Sequence, residues 1–347
     1  MFVDDLPFRM QSLDDTAASI ARTQLASGCI PHSPGSIADP WNHIEAAMGL
    51  DVMGRHDDAA RAYEWLLRRQ RSDGAWAAAY RDDGVVDATL DANFIAYLAT
   101  GVWHHYVATQ DQHFLETSWD AVERAVSFVL GLQAAGGGIL WARDARYEPW
   151  PGALLTSSSC IFLSLRCAVA IAETLGEERP DWELAMASIA DAVANRPHTF
   201  EPKDLFSMDW YYPVLAGIFE GAEAETRLRS RWDEFVMEGS GARCVSDRPW
   251  VTSGETAELI LTLDLIGWAD EARTMFAWLQ RLRDGDGAFW IGATFPDGTI
   301  WPREKPTWGS GAVILAADAL FGDSATSGFF RGETFPSALD ARLIDPL

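Results

Sequence analysis

The sequence predicts an all-α protein, an (α/α)6 barrel or toroid of six helical hairpins. Two observations predict it. Apolar residues recur at three- and four-residue steps in about twelve separate segments. Three times, moreover, an apolar stretch runs into a glycine-rich turn that closes on tryptophan. These turns are Gln70-Arg71-Ser72-Asp73-Gly74-Ala75-Trp76, Gln133 through Gly136-Gly137-Gly138 to Trp141, and Arg283-Asp284-Gly285-Asp286-Gly287-Ala288-Phe289-Trp290. A turn reused at helix ends marks one hairpin repeated around a larger assembly, each copy burying its apolar face against its neighbours.

The periodic segments are 16–25, 41–52, 59–67, 91–107, 119–132, 158–175, 182–194, 210–219, 227–235, 255–266, 269–282 and 309–320. Those starting at Trp41, Asp91, Ser158, Trp210, Glu255 and Gly309 are the more hydrophobic, and charged, amphipathic ones such as 59–69 and 269–283 alternate with them. An all-round apolar helix alternating with an amphipathic one describes an inner and an outer ring. The best strand candidates, 242–245 and 288–294, read as loop hairpins. The repetition predicts a single domain over 1–347, with a core of about 12–322 and a loosely wrapped tail, 323–347, in which Gly, Ser and Pro are interspersed.

The chain is 48% hydrophobic and 22% charged, with ample material for a core. Its formal charge of −24 repels polyanions, and no basic patch offsets it, so nucleic acid and anionic membranes are excluded as partners. The start, Met1-Phe2-Val3-Asp4-Asp5, lacks the basic and apolar regions of a signal peptide, and a cytoplasmic protein is expected. Four scattered cysteines, Cys29, Cys160, Cys167 and Cys244, fit a reducing compartment, with Cys160 and Cys167 buried on one helix face.

In such a barrel the loops entering the inner helices line a cavity at one end, and that end is the expected site. Asp39-Pro40-Trp41-Asn42-His43-Ile44-Glu45 opens one inner helix; Asp followed by Pro is also an ordinary helix start, because the carboxylate accepts orphan amides. Arg248-Pro249-Trp250-Val251-Thr252-Ser253-Gly254-Glu255 opens another. Thr252 and Glu255 have the spacing of a capping box, yet Glu255 heads a buried helix where a carboxyl can be tuned to donate a proton. Asp87 with Asp91-Ala92-Asn93-Phe94, and Ser207-Met208-Asp209-Trp210-Tyr211-Tyr212, again place acids beside aromatics. Trp301 to Trp308 adds one more Trp-flanked acid, Glu304.

Capping explains the acids and not their aromatic neighbours. Indoles stack on the apolar faces of sugars while carboxylates accept hydroxyl hydrogen bonds, so the mixture fits a carbohydrate cleft. Two carboxylates are also what glycosidic hydrolysis uses: about 6.5–9.5 Å apart for inversion and about 5–5.5 Å for retention. The histidines fall in no ligand spacing, so no metal is expected, and motifs for serine hydrolases, nucleotides and dinucleotides are missing, so no cofactor is expected.

The hairpins and Gly-x-Trp turns resemble the toroids of terpene cyclases and prenyltransferases, but the DxDD acid and the zinc site of those enzymes are not found. A closer resemblance covers roughly 28–320. Asp39-Pro40-Trp41-Asn42-His43-Ile44-Glu45-Ala46-Ala47-Met48, Gly101-Val102-Trp103-His104-His105, Ser207-Met208-Asp209-Trp210-Tyr211-Tyr212-Pro213 and Arg248-Pro249-Trp250-Val251-Thr252 resemble actinobacterial proteins often labelled prenyltransferases. That group includes the methylmannose polysaccharide hydrolases, inverting enzymes that cleave α-mannan. The resemblance implies Asp39 and Glu255 as the two catalytic carboxylates.

The expectation is therefore a metal-independent, inverting glycoside hydrolase acting on an α-linked oligo- or polysaccharide. Glu255 is its general acid and Asp39 its base. Trp41, His43, Asp91, Asn93, Asp209, Trp210, Tyr211, Arg248, Trp250, Trp290 and Trp308 are its substrate-binding residues. Two alternatives stay open: an enzyme acting on an isoprenoid, with an apolar cavity and one acid, and a carbohydrate-binding toroid without catalysis. Oligomeric state is undetermined.

Overall fold

The computed structural model describes residues 8–82, 84–322 and 324–336. Its helices are α1 (Asp14–Thr23), α2 (Pro40–Val52), α3 (His56–Leu67), α4 (Ala92–Thr109), α5 (Gln112–Leu130), α6 (Leu155–Leu175) and α7 (Pro180–Asn195). They continue with α8 (Ser207–Leu215), α9 (Gly221–Ser230), α10 (Trp232–Phe235), α11 (Ser253–Leu265), α12 (Ala269–Leu279) and α13 (Thr307–Phe321). The apolar helices α2, α4, α6, α8, α11 and α13 pack each against the next, and α13 returns to α2 to close an inner ring. Outer helices α3, α5, α7, α9 and α12 back the first five. The sixth hairpin joins the chain's two halves, for α1 lies outside α13. Helix α6 is long and apolar enough to cross a membrane, but that stretch is 89% buried as a stave of the barrel.

One turn recurs four times. Gln24, Gln70 and Gln133 each donate from Nε2 to the carbonyl of the glycine four residues on, and also to a carbonyl of the next outer helix, at Asp58, Ala121 and Ala185 respectively. Arg283 replaces glutamine in the fourth copy and reaches Ser12 O at 2.6 Å. The four glycines, Gly28, Gly74, Gly137 and Gly287, have φ of 98°, 89°, 91° and 90°. A Cβ on any of them would stand 2.2 to 2.5 Å from an atom of the next outer helix. Glycine is thus demanded by both conformation and close approach.

Two residues beyond each glycine a side chain enters the core: Ile30, Trp76, Ile139 and Phe289. The three tryptophan turns are therefore equivalent at glycine and not at tryptophan. Trp76 fills the core position, whereas Ile139 and Phe289 occupy it in the other turns and leave Trp141 and Trp290 half-buried. The fourth copy, at Gln24 to Ile30, has no tryptophan to reveal it.

The six loops leading from an outer helix into an inner one lie at a common end. Backbone contacts stitch each to the next. Ala38 N–H donates to Tyr80 O at 2.9 Å, and Asp91 pairs with Ala142. Glu201 N–H donates to Ala153 O at 2.9 Å, and Phe206 bridges Val245. Trp250 pairs with Thr294, and Thr307 N–H donates to His32 O at 2.8 Å. These stitches run once around the barrel and form a closed collar at its mouth.

Two local expectations are corrected. The segment 227–235 is two helices broken at Arg231. The strand within 288–294 does turn back in a loop hairpin, with Ala293 bridging Ile300 and Thr294 N–H donating to Thr299 O at 2.9 Å, and it pairs as well with Trp250–Thr252. The tail is no loose wrap within 324–336. Phe329 is buried with its ring 5.1 Å from His104, Phe335 stacks on Trp103 at 6.5 Å, and Arg331 pairs with Asp264 at 2.5 Å. The two phenylalanines plug the end opposite the mouth; residues 1–7, 83, 323 and 337–347 lie outside the described residues.

Candidate active site

Asp39 is the N-cap of α2, with Pro40 at the first helical position. Its Oδ1 accepts the Asn42 amide at 2.8 Å, while Oδ2 accepts Asn42 Nδ2 at 2.7 Å and lies 2.6 Å from His32 Nε2. A carboxylate can only accept, so the imidazole donates. Asp39 is thus the helix cap and, at the same time, a carboxylate held in one orientation by three donors.

Glu255 lies on the first turn of α11 and is half-buried. Thr252 does not cap the helix; its hydroxyl donates to the Glu255 carboxylate instead. The capping box does not form because the two side chains bond to each other rather than to the orphan amides. Cys244 lies beside it, and burial together with the Glu255 charge pushes that thiol up. Trp308, from α13, lies over Gly254, where a Cβ would stand 2.2 Å from the ring. Trp41 lies 6.5 Å from Trp308 and 5.3 Å from Tyr97. An aromatic wall therefore runs from α4 past α2 and α13 to Glu255.

One turn deeper stand two carboxyls that sequence reasoning left out of the site. Glu45 on α2 and Glu258 on α11 are 3% and 5% exposed. Glu45 lies in the field of Glu258, Asp39 and Glu255, and its Oε2 has no hydrogen-bond partner. Tyr211 donates its hydroxyl to Glu258. Burial pushes both glutamates well up, Glu258 to about 8, and their mutual repulsion adds to Glu45. Burial and mutual repulsion thus favour the protonated form of both carboxyls, in which a hydroxyl donor stands beside the acceptors. A charged residue midway along an otherwise apolar, all-round-buried helix is the signal that identifies such groups. Asn42 and His32 carry no such signal, since their pairing with Asp39 depends on how the loop before α2 turns.

The other expected residues divide. Asp91 caps α4 through the amides of Asn93 and Phe94, and burial pushes it up to about 7, with Asp39 adding repulsion. Asn93 has a buried Oδ1 without a partner. Asp209 accepts the Thr156 hydroxyl at 2.5 Å, and Trp250 donates from Nε1 to Trp301 O at 2.5 Å. Arg303 and Lys305 stand 5.2 and 5.0 Å from the Trp290 ring centroid. Arg248 is exposed on the collar, 3.6 Å from Asp247.

His43 and Trp210 are not brought to the mouth. His43 Nδ1 accepts the Ile30 amide at 3.0 Å and Nε2 donates to Ala62 O at 2.9 Å, a neutral imidazole that burial pulls down to about 4. Ser158, Ser310 and Thr256 accept collar amides in the same way from the corresponding position of their helices. Trp210 is buried, stacked on Phe235 at 5.3 Å, with Nε1 donating to Arg227 O. Neighbours on a helix are about 100° apart, so Trp210 turns away from the face that carries Asp209. Among the described residues no three His, Cys, Asp or Glu converge as a metal site.

A barrel whose mouth sets carboxyls of separate inner helices among indoles, over two further buried carboxyls, has the build of a glycoside hydrolase. It does not match the one-acid apolar cavity of the isoprenoid alternative. No protein-family model matches the chain. It is 46% identical over 94% of its length to the MMP endo-(1,4)-3-O-methyl-α-D-mannosidase of Mycolicibacterium hassiacum, and covers 90% of that protein. The chain belongs to that family and is a glycoside hydrolase. Two solved structures share the fold: a glycosidase with glucose bound, at a TM-score of 0.72 and 16% identity over 91% of this chain and 98% of that one, and D-mannose isomerase, at 0.66 and 10% over 90% and 99%. That an isomerase has the same barrel shows that the fold alone does not fix the reaction.

Proposed function

We propose that this chain cleaves an O-methylated, α-(1→4)-linked mannan by single displacement with inversion and without a metal, as a single-domain enzyme of the cytoplasm. The observation that carries the mechanism is the hold on Asp39. Three donor groups from Asn42 and His32 fix a carboxylate at the mouth, and Glu255 stands on another inner helix beside Trp308. The substrate follows from the name of the Mycolicibacterium relative.

Glu255 protonates the glycosidic oxygen as the C1–O bond breaks. Asp39 takes a proton from the water that attacks C1 from the opposite face, so the product hydroxyl is β and each carboxyl is restored by proton exchange with solvent. Trp41 and Trp308 hold the sugar face, and the Glu45–Glu258 floor accepts and donates to its hydroxyls. The test is proton NMR of the first-formed reducing sugar from a 3-O-methylated α-(1→4)-mannan oligosaccharide, with and without EDTA. A β-anomer and unchanged rate with chelator are expected; an α-anomer, or loss of rate restored by a metal, would overturn the mechanism.

A further inference from the structure

Eight large hydrophobic side chains are exposed among the described residues, and seven sit on collar loops; the other is Leu184 on α7. Six of the seven occupy three consecutive loops, those before α4, α6 and α8: Val85, Val86, Tyr147, Trp150, Leu205 and Phe206. These loops are joined by the Asp91–Ala142 pairing and by the bond from Glu201 to Ala153. They lie along one arc of the collar, on a molecule of formal charge −24. Apolar side chains gathered at one rim mark a binding surface rather than chance exposure.

The arc is continuous with the site. The Trp141 carbonyl accepts the Ala92 amide at 2.8 Å, one residue from Asp91, whose carboxyl lies in the field of Asp39. From Trp141 the aromatic surface passes to Trp150, 5.2 Å away, and Trp150 is 45% exposed. Phe206, 44% exposed, stands at the head of α8. Trp141 is available only because Ile139 fills the core position of its turn.

We infer that this arc is a track for the polysaccharide beyond the linkage being cleaved, and that it selects O-methylated sugars. The inference rests on the methylated-mannan reading of the cleft. The charge disfavours an anionic occupant. Aromatic rings alone would suit any sugar face, but Val85, Val86 and Leu205 offer hydroxyls nothing, whereas an O-methyl group buries apolar surface against them.

The test uses the full chain with Trp150→Ala, Phe206→Ala and both together. Rates are compared on a methylated decasaccharide, the unmethylated decasaccharide and a methylated tetrasaccharide. The double variant loses about tenfold in kcat/KM on both decasaccharides and leaves the methylated tetrasaccharide unchanged, whereas Val86→Ser with Leu205→Ser lowers the rate on the methylated decasaccharide alone. Equal losses on all three substrates, or no loss, would overturn the track. So would sedimentation showing that the variants dissolve a dimer while the substrate ratios stay fixed, since the arc would then be an interface between copies. Calorimetry of the same sugars with Glu255→Gln reads the track without turnover. If the wild type cleaves none of the sugars, the cleft reading fails; if Trp150→Ala and Phe206→Ala do not weaken decasaccharide binding in that background, the track fails.

Discussion

His32 and Asp39 meet across the turn into α2, with imidazole Nε2 2.6 Å from carboxylate Oδ2. The loop carrying His32 is itself tied to α13, where Thr307 donates its amide to His32 O and its hydroxyl to Pro31 O, both at 2.8 Å. Asp39, the proposed base, is thus held by a residue anchored to the helix that supplies Trp308. His32→Ala removes one of three donors and leaves the N-cap bond to Asn42 in place. Its kcat on the methylated oligosaccharide should fall by about a hundredfold with KM nearly unchanged, the signature of a misaimed base. A fall in thermal stability accompanied by unchanged kcat would assign His32 to the fold.

Glu258 gives the chain a pH dependence that can be isolated. Its folded pKa, about 8, lies above the ordinary 4.5, so its favourable contribution is complete below 4.5 and disappears as pH rises through 8. Asp91, pushed to about 7, acts in the same sense. His43 and His104, pulled down to about 4, act oppositely, but only between 4 and 6.5. Between pH 6.5 and 8 the carboxyls dominate. Glu258→Gln retains an acceptor for Tyr211 and cannot ionise, so its melting temperature should fall less than the wild type's across that window, by roughly 2–4 °C. Parallel curves would show that Glu258 does not titrate there.

The ring of helices was legible because burial on all sides, against burial on one, leaves different hydrophobic patterns in the sequence. What was not legible depended on contacts between distant residues. Glycine in the repeated turn is fixed by the next outer helix, whereas the aromatic after it varies with what each core pocket admits, so Trp76 is buried while Trp141 and Trp290 are not. Closure by α1 leaves no local trace. Asp39 and Glu255 stand out as acids at inner-helix starts, whereas Glu45 and Glu258 lie a turn inside their helices, where only the closed ring brings them together. His43 was misread because its partner, Ile30, lies in another segment.

His43 should therefore matter to stability and not to turnover. His43→Ala leaves the Ile30 amide and the Ala62 carbonyl unsatisfied in a dry interior, together with a cavity where the ring packed against Trp65 at 4.8 Å. Chemical denaturation should show a loss of about 2–4 kcal/mol. At a temperature where the variant remains folded, kcat/KM should stay within about twofold of the wild type, because a structural residue makes no contact that strengthens in the transition state. A rise in KM without loss of stability would return His43 to the binding cleft.

The repeated glycine separates backbone strain from crowding. Gly35 and Gly74 both adopt left-handed conformations, with φ of 76° and 89°. A Cβ on Gly35 meets nothing within 4 Å, whereas one on Gly74 would stand 2.3 Å from the Arg124 carbonyl oxygen. Gly35→Ala incurs only the left-handed penalty of about 1–2 kcal/mol. Gly74→Ala incurs that penalty and must also push the turn away from α5, stretching the bonds from Gln70 to Gly74 and to Ala121 at 3.0 and 2.8 Å. Overpacking of this kind adds about 1–3 kcal/mol. Denaturant midpoints of the two variants should differ accordingly, with Gly74→Ala the less stable. Equal losses would mean that the turn retreats from α5 freely, and that the repeated glycine serves the backbone alone.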